Sequence, residues 1–110
     1  MEKSVLLWRY RDSGGFRSLY AVLAENGDVR LEGQDLGPGV EQIFGEGLTE
    51  YEYTMTILAQ DVPALRRALG DKSDLLQALK EALGDPGMIG PKAFLDEHNI
   101  PHEFWSRIGD

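Results

Sequence analysis

The spacing of apolar residues changes period once along this chain, from two in the first half to nearly four in the second. Val5 to Arg11 reads as a strand of apolar and aromatic residues, ended by the turn residues Asp12-Ser13-Gly14-Gly15. Phe16 to Ala24 reads as a second strand. Asn26-Gly27 then marks a hairpin, because both residues tolerate positive φ. Val29 to Gly33 forms the third strand, with Val29 and Leu31 on one face and Arg30 and Glu32 on the other, so one face is buried and one is wet. From Gly33 the spacing predicts a rigid turn region, with a single helical turn over Val40 to Phe44 after Pro38-Gly39. The clearest strand follows: Tyr51 to Ala59, with Tyr51, Tyr53, Met55 and Ile57 on one side and Glu52, Thr54 and Thr56 on the other.

Beyond Asp61 the period is helical. Asp61 is expected to cap a helix with Pro63 in its first turn and Val62, Leu65, Ala68 and Leu69 on one face, closed by Gly70. Ser73 is expected to cap a second, on which Leu75, Leu76, Leu79, Ala82 and Leu83 share a face up to Gly84. After a loop over 85–90, Pro91 opens a third helix running to about His98, with Asn99 as a left-handed terminus. His102 to Arg107 is either a short fifth strand or a tail packed on the sheet. Strands first and helices second predict an α+β fold: an antiparallel β-sheet of four to five strands, an N-terminal meander, covered on one face by two or three C-terminal helices. A length of 110 residues suits one domain, 1–110, with a core that needs no disulfide.

Composition adds limits. The chain is 42% hydrophobic and 27% charged, as in soluble globular proteins, and it has no cysteine, which excludes disulfides, thiolate metal sites and cysteine nucleophiles. There is no secretory leader and no apolar run that could span a membrane, so a cytoplasmic protein with no membrane partner is expected. Charge is uneven. Residues 28–61 carry Arg30 against Asp28, Glu32, Asp35, Glu41, Glu46, Glu50, Glu52 and Asp61, which accounts for most of the net −8. Such a field repels phosphate backbones and attracts cations, so no direct nucleic-acid binding is expected.

Gly33, Gly37, Gly39, Gly45 and Gly47 fit neither a dinucleotide nor a Walker-type phosphate loop, and no nucleophile elbow is present. Ser106, His102 and the aspartates have no spacing that favours a triad. Asp35, Glu41, Glu50 and Glu52 can be imagined converging for acid–base work or a hard cation, yet structure and solvation account for them more simply. His98 and His102 straddle Pro101, which breaks the i, i+4 geometry of a helical metal pair. No catalytic residue, metal ligand or cofactor is therefore assigned. The terminal Phe104-Trp105 pair is expected to pack into the core and pin the tail, with an interface role as the alternative.

GQDLGPGVEQIFG with YEY after it, and HNIPHEFWSRIGD at the C-terminus, resemble small single-domain bacterial proteins to which no activity is assigned. That resemblance covers most of the chain and carries no catalytic residue across. At the level of fold, small acidic α+β domains also resemble immunity proteins that neutralise bacterial toxins. The expected function is a non-enzymatic acidic interaction module, immunity- or antitoxin-like, that meets a basic protein through Asp35, Glu41, Phe44, Glu46, Glu50, Tyr51 and Glu52. The alternative is a small-molecule or divalent-metal enzyme whose carboxylates meet beside Gly37-Pro38-Gly39. A homodimer through a sheet edge or face is a third reading.

Overall fold

The run Val5-Leu6-Leu7-Trp8 cannot alternate between a wet and a dry face, and the sheet absorbs it with a bulge. The computed structural model describes residues 2–85, 87 and 89–109. Strand β1 (Lys3–Asp12) pairs antiparallel with β2 (Gly15–Leu23), and the register steps from Leu6↔Tyr20 to Trp8↔Leu19. Leu7 is the extra residue, and it is buried in the core. β3 (Val29–Leu36), β4 (Glu50–Ile57) and β5 (Glu103–Gly109) follow in chain order, so the sheet is a five-stranded antiparallel meander, β1-β2-β3-β4-β5.

Register decides which side chains share a face, because directly opposed residues point the same way. One face carries the row Val5–Ala21–Leu31–Met55–Phe104, then Trp8–Leu19–Gly33–Tyr53–Ser106, then Tyr10–Arg17–Asp35–Tyr51–Ile108. Helices α2 (Val62–Ala68), α3 (Leu75–Leu83) and α4 (Pro91–Glu97) lay their apolar residues into this face. Leu65, Leu69, Leu75, Leu79, Leu83, Phe94 and Leu95 join Leu19, Ala21, Val29, Leu31, Met55 and Ile57 in a single core cluster. The third row lies beyond that cluster.

Several local expectations change. Asp74, not Ser73, caps α3, its carboxylate accepting from the Gln77 N–H at 3.1 Å. Asp61 precedes α2 without a side-chain cap bond, since the chain enters that helix from a 3₁₀ turn over Ala59–Asp61. β4 correspondingly stops at Ile57. In the β2–β3 hairpin only Gly27 has positive φ; Asn26 serves instead through its side chain, which accepts from the Asp28 N–H at 3.0 Å. The third strand continues past Gly33, and Gln34 to Leu36 are strand rather than turn, because they pair with Glu52 to Glu50. The helical turn expected at Val40–Phe44 is the longer α1 (Pro38–Phe44). Asn99 ends α4 in the left-handed region, as its position predicts. In the 85–90 loop, Pro86 and Met88 lie outside the described residues.

The glycines of the Gly33–Gly45 stretch have a backbone role. The β1–β2 turn sits against the start of α1, with the Gly39 N–H donating to the Gly14 carbonyl at 2.8 Å. Gly15 has φ +124°, and a Cβ there would lie 1.8 Å from the Leu36 carbonyl oxygen. Only a residue without a side chain lets these two turns meet. Gly15→Ala is therefore expected to cost at least about 3 kcal/mol in a urea unfolding experiment. Gly47→Ala, where φ is +85° and nothing lies within 4 Å, is expected to cost about 1 kcal/mol. Equal losses would mean that the clasp is not a close contact.

Candidate functional site

The uncovered third row of the helix-side face is the natural place to look for a site. There Tyr51 points to the same side as Tyr53 of the row before, two residues on along β4, with ring centroids 5.6 Å apart. Helix α1 crosses their end of the sheet and lays Phe44 on Tyr51, stacked at 5.2 Å. Phe44 is 39% exposed and Ile43, beside it on α1, is 72% exposed. Past Tyr53 a shallow hollow of about 290 Å³ opens between Met55, Phe104 and the first turn of α4 at Pro91–Ala93. The result is an aromatic floor between α1 and α4.

Tyr53 holds its place through Gly33. The two are directly opposed, and a Cβ on Gly33 would lie 2.0 Å from Cζ of the Tyr53 ring. The ring therefore lies flat across the glycine, the cross-strand arrangement in which an aromatic fills the space a missing side chain leaves. Burial, with Asp35 and Tyr51 nearby, pushes the Tyr53 hydroxyl up to about 12. Asp35 lies in the next row, directly opposed to Arg17 on β2 and Tyr51 on β4. Burial raises its carboxyl above the ordinary value of 3.8, and the Arg17 charge opposes that rise. Arg17 in turn donates to the Tyr10 hydroxyl at 3.3 Å.

The seven residues expected to form one acidic face divide between two. Asp35, Phe44 and Tyr51 meet on the helix side. Glu50 and Glu52 point to the opposite face, where Arg107 lies 3.4 Å from Glu50 and 3.7 Å from Glu52. Glu41 sits on α1 and accepts from the Gly47 N–H at 3.3 Å, and exposed Glu46 follows that helix. The outer face interleaves Arg9, Arg11, Arg30 and Arg107 with Glu32, Glu50, Glu52 and Glu103. Folding thus brings arginines from β1 and β5 onto the face that holds the β3 and β4 glutamates. Arg17 and Ile108 were missed in the sequence because they enter the site only through pairing with distant strands.

No family model matches this chain. Nor does any curated protein or solved structure.

Among the described residues, no three His, Cys, Asp or Glu side chains come together as metal ligands. The two histidines face different partners: the His102 ring Nδ1 lies 2.9 Å from the Ile100 carbonyl, and His98 packs 4.5 Å from the Phe94 ring. A larger hollow, about 750 Å³, lies at the other end of the sheet between Lys3–Val5 and the start of α3. Its lining includes no aromatic ring and none of the expected site residues, so volume alone does not make it the better candidate. No helix among the described residues is long and apolar enough to cross a membrane. The Phe104-Trp105 pair is not core: the residues are 47% and 53% exposed, because β5 is an edge strand, Trp105 points to the outer face, and Phe104 meets only the Lys92 end of α4.

Two measurements check this geometry. Gly33→Ala should displace the Tyr53 ring and cost about 1–3 kcal/mol. In a Tyr53→Ala background that cost should shrink, a non-additivity readable from urea unfolding of the four variants; strict additivity would place the ring elsewhere. For Asp35 the sign follows from its raised folded value. The folded chain holds this proton more tightly than the unfolded one, so the associated stability is complete below 3.8 and is lost as pH rises through the folded value. Asp35→Asn should therefore gain on wild type between about pH 3 and pH 7, by less than about 1 kcal/mol after solvent screening. An opposite sign would mean that the Arg17 partnership outweighs burial.

Proposed function

We propose that this chain is a non-enzymatic protein-interaction module, of the immunity or antitoxin-like kind, acting in the cytosol on a basic protein partner. The observation that carries this reading is the aromatic floor of Phe44, Tyr51 and Tyr53, left open by the helix layer and edged by carboxylates. Rigid rings supply contact area at low entropic cost and are typical interface anchors. Glu41 and Glu46 on the α1 side supply a negative rim that steers a cationic partner and rejects acidic ones. Glu50 and Glu52 already face Arg107 on the other side of the sheet, so the contact set narrows to Asp35, Glu41, Phe44, Glu46 and Tyr51. The immunity-like class rests on fold analogy together with this surface.

Capture from lysate of the source cell, with wild type and variants on the column, tests the reading. A basic protein should be retained by wild type and by Glu50→Lys. Phe44→Ser and the pair Glu41→Lys/Glu46→Lys should each weaken its retention at least tenfold, roughly the loss of one interface anchor. Phe44 is exposed enough that its replacement leaves the fold intact, which circular dichroism verifies. A partner held equally by all variants would move the interface off this surface.

A further inference from the structure

The two edges of the sheet are built differently. β1 interrupts its pairing with the Leu7 bulge and carries Lys3, Arg9 and Arg11, features that discourage a further strand from adding there. β5 lacks the bulge, and its charges are a single arginine and a single glutamate, Arg107 and Glu103. It contains no proline, lysine or bulge, and its register with β4 runs unbroken from Glu103 to Gly109. It also carries Phe104, Trp105 and Ile108, which are 47%, 53% and 41% exposed, half of the exposed large hydrophobic residues among those described.

The geometry points to a second copy of this chain as the occupant of that edge, through a two-fold axis at Ser106. Ser106 is the midpoint of β5, so an antiparallel pairing centred there engages every residue of the strand. In that register Phe104 opposes Ile108 of the second copy on the helix side, and Trp105 opposes Arg107 on the outer side. The first is an apolar cross-strand pair and the second a cation–π pair, and the symmetry makes each twice. Arg107 leans back over β4 toward Glu50 and Glu52 on the outer face, and meets the second copy's Trp105 by swinging its guanidinium toward the shared edge. Charge does not oppose the contact locally, because each copy brings one glutamate and one arginine on this strand. Pairing of β5 with β5 uses up both unprotected edges and leaves the bulged β1 strands outermost, so assembly closes at two chains rather than extending into a fibre. This goes beyond the proposed partner surface, and either can stand without the other.

Light scattering and sedimentation equilibrium on the purified protein test the dimer between about 1 and 500 µM, the range over which a small interface of this type associates. The expected result is a shift to twice the chain mass. Phe104→Lys/Ile108→Lys, both at exposed positions, should weaken association at least about thirtyfold without loss of helix or strand signal. A single-cysteine variant tests the register, since the chain has no other cysteine. Directly opposed Cα atoms in an antiparallel pair lie about 4.5–5.5 Å apart, within disulfide range. Ser106→Cys should therefore form a disulfide dimer with oxidised glutathione, and Ser13→Cys, on the β1–β2 turn, should not. A monomer at every concentration, or a dimer unaffected by the double lysine variant, would overturn the proposal. So would crosslinking through Trp105→Cys in place of Ser106→Cys, which would shift the axis by one residue.

Discussion

Three short helices have to cover one face of five long strands, and they cannot. α2, α3 and α4 have seven to nine residues each, about 10–14 Å of helix. The strands run from seven to ten residues, about 23–34 Å. The helix layer therefore seals one end of the face, where Ala21, Val29, Leu31 and Ile57 are almost wholly buried, and leaves the other end open. Everything of functional interest follows from that mismatch. The open end must be filled by something other than a helix, and the chain fills it with rings: Trp8, Tyr10, Tyr51 and Tyr53 from the sheet and Phe44 from α1. Tyrosine suits this half-covered zone because its ring packs while its hydroxyl can take a polar partner, as that of Tyr10 takes Arg17.

The fold class was legible because periodicity is a local property. β4 announces itself by strict alternation from Tyr51 to Ile57, and α3 by leucines at helical spacing. What periodicity misses is geometry fixed by a partner far away in sequence. Nothing in Val5-Leu6-Leu7-Trp8 says which residue is extra; only pairing with β2 singles out Leu7. Gln34 to Leu36 look like turn residues in isolation, yet they pair along β4, and Gly33 before them makes room for a ring from the next strand. Phe104 and Trp105 look like core residues by chemistry, but their strand was added at an edge after the helices had used the available cover.

The candidate site was legible in part for the same reason. Phe44, Tyr51 and Asp35 do gather on one face, because odd-numbered β3 and β4 residues share it and α1 returns over them. The concentration of carboxylates between residues 28 and 61 is real in sequence and diluted in space. A strand contributes to two faces, so Glu50 and Glu52 turn away from Asp35 and Tyr51. Neighbouring strands then contribute their own charges, and Arg107, distant in sequence, becomes the partner of both glutamates. Counting charge along a chain measures a field only where consecutive residues stay together, as on α1.

The meander gives the molecule an uneven folding route. β1 to β3 are joined by tight turns, and β3 reaches β4 through little more than α1, so four strands can assemble by successive local closures. β5 meets β4 only after residues 58–102 have been looped out, and that segment contains α2, α3 and α4. Closing a connection roughly ten times longer than a hairpin turn adds about 2 kcal/mol of chain entropy. The last strand therefore joins late and frays first, held by one neighbour and by few buried side chains. Its exposed row of backbone groups belongs to the least stable unit of the fold, so anything that pairs with that edge also fastens the end of the chain.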